Sequence, residues 1–154
     1  MAAELTHQGI FEIKLALHEL NADFCHYLDQ RETDRFANLF TEDAIYTHGS
    51  RASHGRAAIH ALFDKRNKAG TRTTRHLQTG LRIQLVDEYL AKGSSVCMTF
   101  AADATPPISH AVPHLIADFI DEYMLCEDMR WRISRRHIER IFVAPGNEGP
   151  AGSK

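Results

Sequence analysis

No apolar stretch in these 154 residues approaches the ~20 that a membrane-spanning helix needs. Neither sign of charge dominates: 18 Lys and Arg stand against 20 Asp and Glu, a formal net charge of −2. A chain so near neutrality lacks the long-range field of a nucleic-acid binder or a binder of anionic membranes. Cysteine is scarce. Cys25, Cys97 and Cys126 are odd in number and far apart, and make neither a zinc spacing nor a disulfide framework, so a reducing cytoplasm is expected. The opening MAAELTHQG has no basic flank and no apolar run, and no secretory signal is expected. A Gly-rich phosphate loop, a dinucleotide fingerprint and a Gly-x-Ser-x-Gly elbow are all missing, so no cofactor is expected. Ten histidines invite a metal reading, but the one suggestive spacing, His110 and His114, has Pro113 inside it, where helix is disfavoured. No metal is expected. The remaining composition, 44% apolar and 25% charged, is that of an ordinary globular domain.

The order of patterns is informative. Ile10, Ile13, Leu17, Leu20, Phe24 and Tyr27 recur at steps of three and four, which predicts a helix with one face on a core. Gln30 to Thr33 interrupts it, and Phe36, Leu39 and Phe40 resume a helical pattern, so two helices are expected to meet at a bend. Ala44 to Thr47 reads as a short strand and His48-Gly49-Ser50 as a turn. A third helix is expected between Gly55 and Gly70, with Ala58, Ile59, Leu62 and Phe63 on its apolar face. The period then changes to two. Leu77, Thr79, Leu81, Ile83 and Leu85 alternate with His76, Gln78, Gly80, Arg82 and Gln84, the pattern of a half-buried strand. Further strands are expected over residues 90–102, 115–125 and 131–143, paired antiparallel because their links are short. Residues 144–154 are Gly- and Pro-rich and are expected to form a flexible tail or an arm on a neighbouring subunit. Helices first and strands after argue an α+β domain over residues 1–143, with three N-terminal helices covering one face of a sheet.

This order, with certain residues in it, resembles the SnoaL-like branch of the nuclear-transport-factor-two-like superfamily. YLDQRETDRFANLFTEDAIYTHG is similar to that family's helix bend, second helix and first strand; GRAAIHALF to its third helix. RHLQTGLRIQL is similar to its first long strand, with Thr79-Gly80 where the family often has Thr-Asn. DEYMLCEDMRWRISRR is similar to the last hairpin. The resemblance implies a cone, in which a curved mixed sheet and helices enclose an apolar pocket. It also implies assembly through the sheet as a homodimer or homotrimer.

The resemblance to scytalone dehydratase and to hexachlorocyclohexane dehydrochlorinase implies a catalytic pair, Asp29 at the end of the first helix and His76 on the first long strand. An imidazole can take a proton from carbon or oxygen and return it elsewhere, and a carboxylate on its other nitrogen fixes the tautomer. Read without the resemblance, Asp29 with Glu32 is equally a capping box opening the second helix. Strict alternation puts His76 on the face opposite Leu77 and Leu81. A bulge near Thr79-Gly80 would bring it inside; so would a subunit interface on the leucine face. Phe24, Tyr27, Tyr46 and His48 are candidates for substrate binding. Asp118 and Asp121 fall on opposite faces of one strand, and Asp118 is taken as the candidate that enters the cone. Among Arg132, Arg135, Arg136 and Arg140, Arg136 is the candidate to meet a carboxylate or a developing oxyanion.

The expected function is a cofactor-independent lyase, dehydratase-like, acting on a small hydrophobic cyclic or aromatic molecule. An isomerase or cyclase would use the same base. The alternative of another class is a non-catalytic ligand-binding or assembly subunit, like the small subunit of ring-hydroxylating dioxygenases.

Overall fold

The computed structural model describes residues 5–149. The first helix, α1 (His7–Asp29), opens on Thr6, whose hydroxyl accepts the Gly9 N–H at 3.0 Å. Such a cap satisfies one of the orphan donors of a helix start. Leu17, Leu20 and Phe24 are buried along one side of α1, as their spacing requires, while Phe11 and Leu15 on the other side are exposed.

The chain bends after Asp29. Arg31 adopts a positive φ of 61°, and the N–H of Glu32 donates to the carbonyl of Tyr27. The Arg31 guanidinium donates to the carbonyls of Asn67 and Gly70, tying the bend to the end of the third helix. The second helix, α2 (Thr33–Ala37), is only five residues long. Phe40 does not belong to it but opens the first strand, β1 (Phe40–His48). Gly49 and Ser50 turn the chain into β2 (Arg51–His54), a short polar strand that carries no period-two apolar signal and was not expected. Gly55 then precedes α3 (Arg56–Lys68). The long strands are β3 (Thr73–Leu85), β4 (Leu90–Ala102), β5 (Leu115–Leu125) and β6 (Trp131–Val143).

The strand order is β2-β1-β6-β5-β4-β3. All neighbours are antiparallel except β1 and β6, which run parallel, so the sheet is mixed. With the helices it makes the expected α+β architecture of a curved open sheet. In β3 the register slips between Thr79 and Arg82, and Gly80 there has a φ of 64°. The extra residue reverses the alternation: Thr74, His76 and Gln78 are more buried than their neighbours before it, Leu81, Ile83 and Leu85 after it. Leu77 is left on the outer face, 53% exposed.

Aromatic rings fill the space between helices and sheet. Phe36 lies 4.5 Å from Phe63 and 5.0 Å from Phe24 between ring centroids, and Phe24 meets Phe119 edge-on at 5.8 Å. Each such side chain, fully buried, stabilises the fold by about 1.5–3 kcal/mol. Under them lies an ion pair. Arg136 is fully buried and donates to both oxygens of Asp121 at 2.8 Å. Its guanidinium carbon stacks 4.1 Å from the Phe24 centroid and 4.7 Å from that of Phe119. Asn21 accepts from Arg136 and donates to Tyr123, whose hydroxyl donates to Asp121 at 2.7 Å. Of the expected tail, residues 144–149 fold back far enough for Arg140 to donate to the carbonyl of Gly149 at 2.7 Å; the expectation for residues 150–154 lies outside the described residues.

Candidate active site

The bend after α1 turns Asp29 toward β3. Its carboxylate does not cap α2, whose N-cap is Glu32 with no side-chain hydrogen bond. Three donors from β3 converge on it instead. Thr74 donates its hydroxyl to Oδ1 at 2.8 Å, the backbone N–H of His76 donates to Oδ2 at 2.9 Å, and Nδ1 of His76 lies 2.6 Å from Oδ1. The two side chains are only 9% and 8% exposed. An ionised carboxylate can only accept, so Nδ1 carries a proton, and in the neutral ring Nε2 keeps its lone pair. Nε2 makes no hydrogen bond among the described residues. The Gly80 bulge is what puts the ring on this face.

His76 borders a hollow of about 70 Å³ at one end of the cone. Its wall is apolar: Phe24, Leu28, Leu115, Phe119 and Ile138. Its polar lining is the buried Tyr46 and Thr99 and, at a less buried rim, His48, Arg66, Arg72 and His114. Burial, followed by the positive charges of Arg51, Arg140, Arg66 and His114, pushes the His48 imidazole down to about 4. Burial raises the Tyr46 phenol above its ordinary value. An imidazole held at one nitrogen by a carboxylate, beside an apolar hollow, is arranged to accept a proton from a bound molecule.

Of the candidates read from the sequence, Phe24, Tyr46, His48 and His76 border the hollow, and Asp29 stands behind His76. Three do not border it. Tyr27 faces α2, where the Arg35 guanidinium sits 5.8 Å from its ring centroid. Asp118 lies on the outer face of the sheet, because the inward positions of β5 are Leu115, Ala117, Phe119, Asp121 and Tyr123. Arg136 points inward, but beneath Phe24 and Phe119, with its charge taken by Asp121 rather than presented to the hollow. Sequence reasoning missed Arg66, Arg72 and His114 at the rim. Arg72 and His114 sit one residue before β3 and β5, where no periodicity marks a direction, whereas Arg66 continues the helical spacing of Ile59, Leu62 and Phe63 on α3, a signal that could have found it. Among the described residues no group of three or more His, Cys, Asp or Glu side chains is placed to hold a metal.

A model of the SnoaL-like domain family matches residues 11–137, most of the chain and every residue bordering the hollow except Ile138. The chain belongs to the SnoaL-like domain family. No curated protein matches this SnoaL-like chain in sequence. Among solved structures it is similar to a putative scytalone dehydratase from Novosphingobium aromaticivorans, with a TM-score of 0.79 and 19% identity over 97% of this chain and 99% of that one. It is also similar to LinA, at a TM-score of 0.74 and 20% identity over 93% and 97% of the two chains. A protein from Catenulispora acidiphila, solved in complex with S-DNPA, has a TM-score of 0.72 and 18% identity over 84% and 93%. At these identities the likeness is one of fold.

Proposed function

We propose that this SnoaL-like protein is a cofactor-independent lyase, dehydratase-like, that acts on a small cyclic or aromatic molecule with His76 as general base and Asp29 as its orienting partner. The observation that carries the reading is the 2.6 Å contact between Nδ1 of His76 and Asp29 beside an apolar hollow. Nε2 takes a proton from a substrate carbon. The released C–H pair forms the new C=C bond as the C–O bond breaks on the adjacent carbon. The departing hydroxide takes the proton back from the imidazolium and leaves as water, so the base is regenerated. Asp29 stabilises the imidazolium in between. A fold shared with a putative scytalone dehydratase supports this reading. The pair also favours it over a binding or assembly subunit, which has no use for an imidazole so held. An isomerase would use the same base and return the proton to another carbon.

The test is turnover in the presence of a chelator. A panel of hydroxylated cyclic ketones is followed by the ultraviolet absorbance of the new conjugated double bond. The expected result is activity in the wild type and a loss of about 10²–10⁴-fold in His76→Ala. A His76→Ala protein that folds normally and keeps full activity refutes the assignment.

The protein is further proposed to work as a homo-oligomer in the cytoplasm. Leu77, Met98, Ile116 and Phe142 are consecutive register partners and make an apolar row across the outer face of four strands, with Phe142 66% exposed. A second copy of the sheet is the occupant that row suits. Light scattering after size exclusion should give a dimer or trimer mass, and Phe142→Glu should reduce it; a monomer in the wild type refutes the assembly. No described helix is long and apolar enough to cross a membrane, and the three cysteines are unpaired, which suits a reducing compartment.

A further inference from the structure

The residues around the hollow have a charge balance that a purely hydrophobic substrate does not need. Two arginines and three histidines border it, and no aspartate or glutamate does. Arg72 shares its charge with Asp103 at 2.9 Å across the surface. Arg66 makes no ion pair among the described residues, and neither does Arg51 nearby. Unmet donors accompany this excess. Nε2 of His48 and Nε of Arg72, both at the rim, are buried with no hydrogen-bond partner, as is Nε of Arg51 on β2. Buried donors left unpaired are costly, so the two at the rim indicate that a ligand supplies the acceptor. Burial, with the positive charges around it, keeps the His48 imidazole neutral at pH 7, so it would donate one N–H rather than add a charge.

Size points the same way. A closed apolar cavity of about 150 Å³ admits benzene. The hollow here has about 70 Å³, so a ring fits only with part of the molecule in the mouth, among the arginines.

We propose that the substrate is an acid: its ring lies against Phe24, Phe119 and Ile138, and its carboxylate is held at the rim by Arg66 and Arg72 with an N–H from His48. Guanidinium groups match the planar, two-oxygen geometry of a carboxylate. The acid is an anchor away from the reacting carbon, and it fixes which C–H faces Nε2 of His76. That last clause rests on the lyase reading; the binding of the acid does not. A phosphate ester would present similar oxygens, and the carboxylate is preferred because the hollow beside the arginines is small and apolar.

Calorimetric titration of the full chain with matched pairs tests this: benzoate and benzamide, phenylacetate and phenylacetamide, 1-naphthoate and 1-naphthamide, with inorganic phosphate as competitor. At least one acid should bind about tenfold or more tightly than its amide, and the preference should shrink as salt rises. Arg66→Gln should remove most of that preference, and Arg66→Lys should restore part of it. His76→Ala should keep it, since the anchor is not the base. The proposal is overturned if no acid outbinds its amide, if Arg66→Gln and Arg72→Gln both leave the preference intact, or if phosphate outcompetes every acid. An acid preference in a protein that turns over no compound supports this proposal and counts against the lyase; turnover of neutral ketones with no acid preference does the reverse.

Discussion

Replacing Asp29 by Asn changes one oxygen to an NH₂ and should disarm His76 without moving it. Three donors converge on the carboxylate: the Thr74 hydroxyl, the His76 amide and Nδ1–H of the ring. An amide has one acceptor oxygen. The backbone N–H cannot change its role, so it keeps that oxygen. The Thr74 hydroxyl can rotate and accept. The imidazole can pair with the new NH₂ only by moving its proton to Nε2, so that Nδ1 accepts. The base nitrogen is then capped. The expected loss of activity is about 10²–10⁴-fold. Charge-assisted hydrogen bonds become neutral ones, at about 1–3 kcal/mol of stability. For a chain of this length that is a fall in Tm of about 2–12 °C. Nitrogen NMR of histidine-labelled protein reads the tautomer directly and needs no substrate, with the His76→Ala spectrum assigning the resonance. The wild type should show the Nδ1–H tautomer and Asp29→Asn the Nε2–H tautomer. The reasoning fails if wild-type His76 is neutral and protonated at Nε2, or if the substitution leaves the tautomer unchanged.

Other outcomes follow from the core. Arg136→Met strands the Asp121 carboxylate in the interior and should cost about 3–5 kcal/mol, whereas Arg136→Met with Asp121→Leu should recover much of it; equal stabilities in chemical denaturation would contradict the ion-pair account. Gly93→Ala would bring a Cβ to 2.8 Å from the Tyr123 ring, which is fully buried and bonded to Asp121, so a loss of about 1–3 kcal/mol is expected by calorimetry, and an unchanged Tm would contradict it. His48 titrates at its ordinary 6.5 when unfolded and near 4 when folded. Between those values the unfolded chain holds a proton that the folded one refuses, so stability should fall as pH drops from 6.5 to 4 and level off below. The full shift is worth roughly 3 kcal/mol, and partial exposure reduces it to about 1–2 kcal/mol. His48→Gln should flatten that part of the denaturation profile, and a slope equal to the wild type's would count against the assignment.

The fold was largely legible because its long strands carry clear periods and clear stops: β4, β5 and β6 begin and end where patterning puts them. The element it hid, β2, is four residues long and polar. The site was legible in part. Asp29 and His76 came from the resemblance, and the bulge that reconciles His76 with the leucine alternation was signalled only by Gly80. The single odd-numbered run Leu77 to Leu85 spreads over both faces of β3, outward before Gly80 and inward after it. The choice between Asp118 and Asp121 went the wrong way for a related reason. Both faces of β5 are apolar, Leu115, Ala117 and Phe119 inside and Ile116, Ile120 and Met124 outside, so parity separates the two carboxylates without saying which is interior. Arg136 was read as a substrate contact; it is buried on Asp121 instead, a partner that comes from β5 and is fixed only by strand register.

The stretch from residue 66 to 72 does two jobs at once. Arg66 and Arg72 sit at the mouth, and the carbonyls of Asn67 and Gly70 between them grip Arg31, two residues past Asp29. Mouth and carboxylate therefore hang from one short yoke. Whatever pulls on the guanidinium groups at one end of it loads the turn that aims the aspartate at the other, so a guest that seats poorly would leave the imidazole poorly backed, and discrimination among guests would be felt in the rate as well as in the affinity.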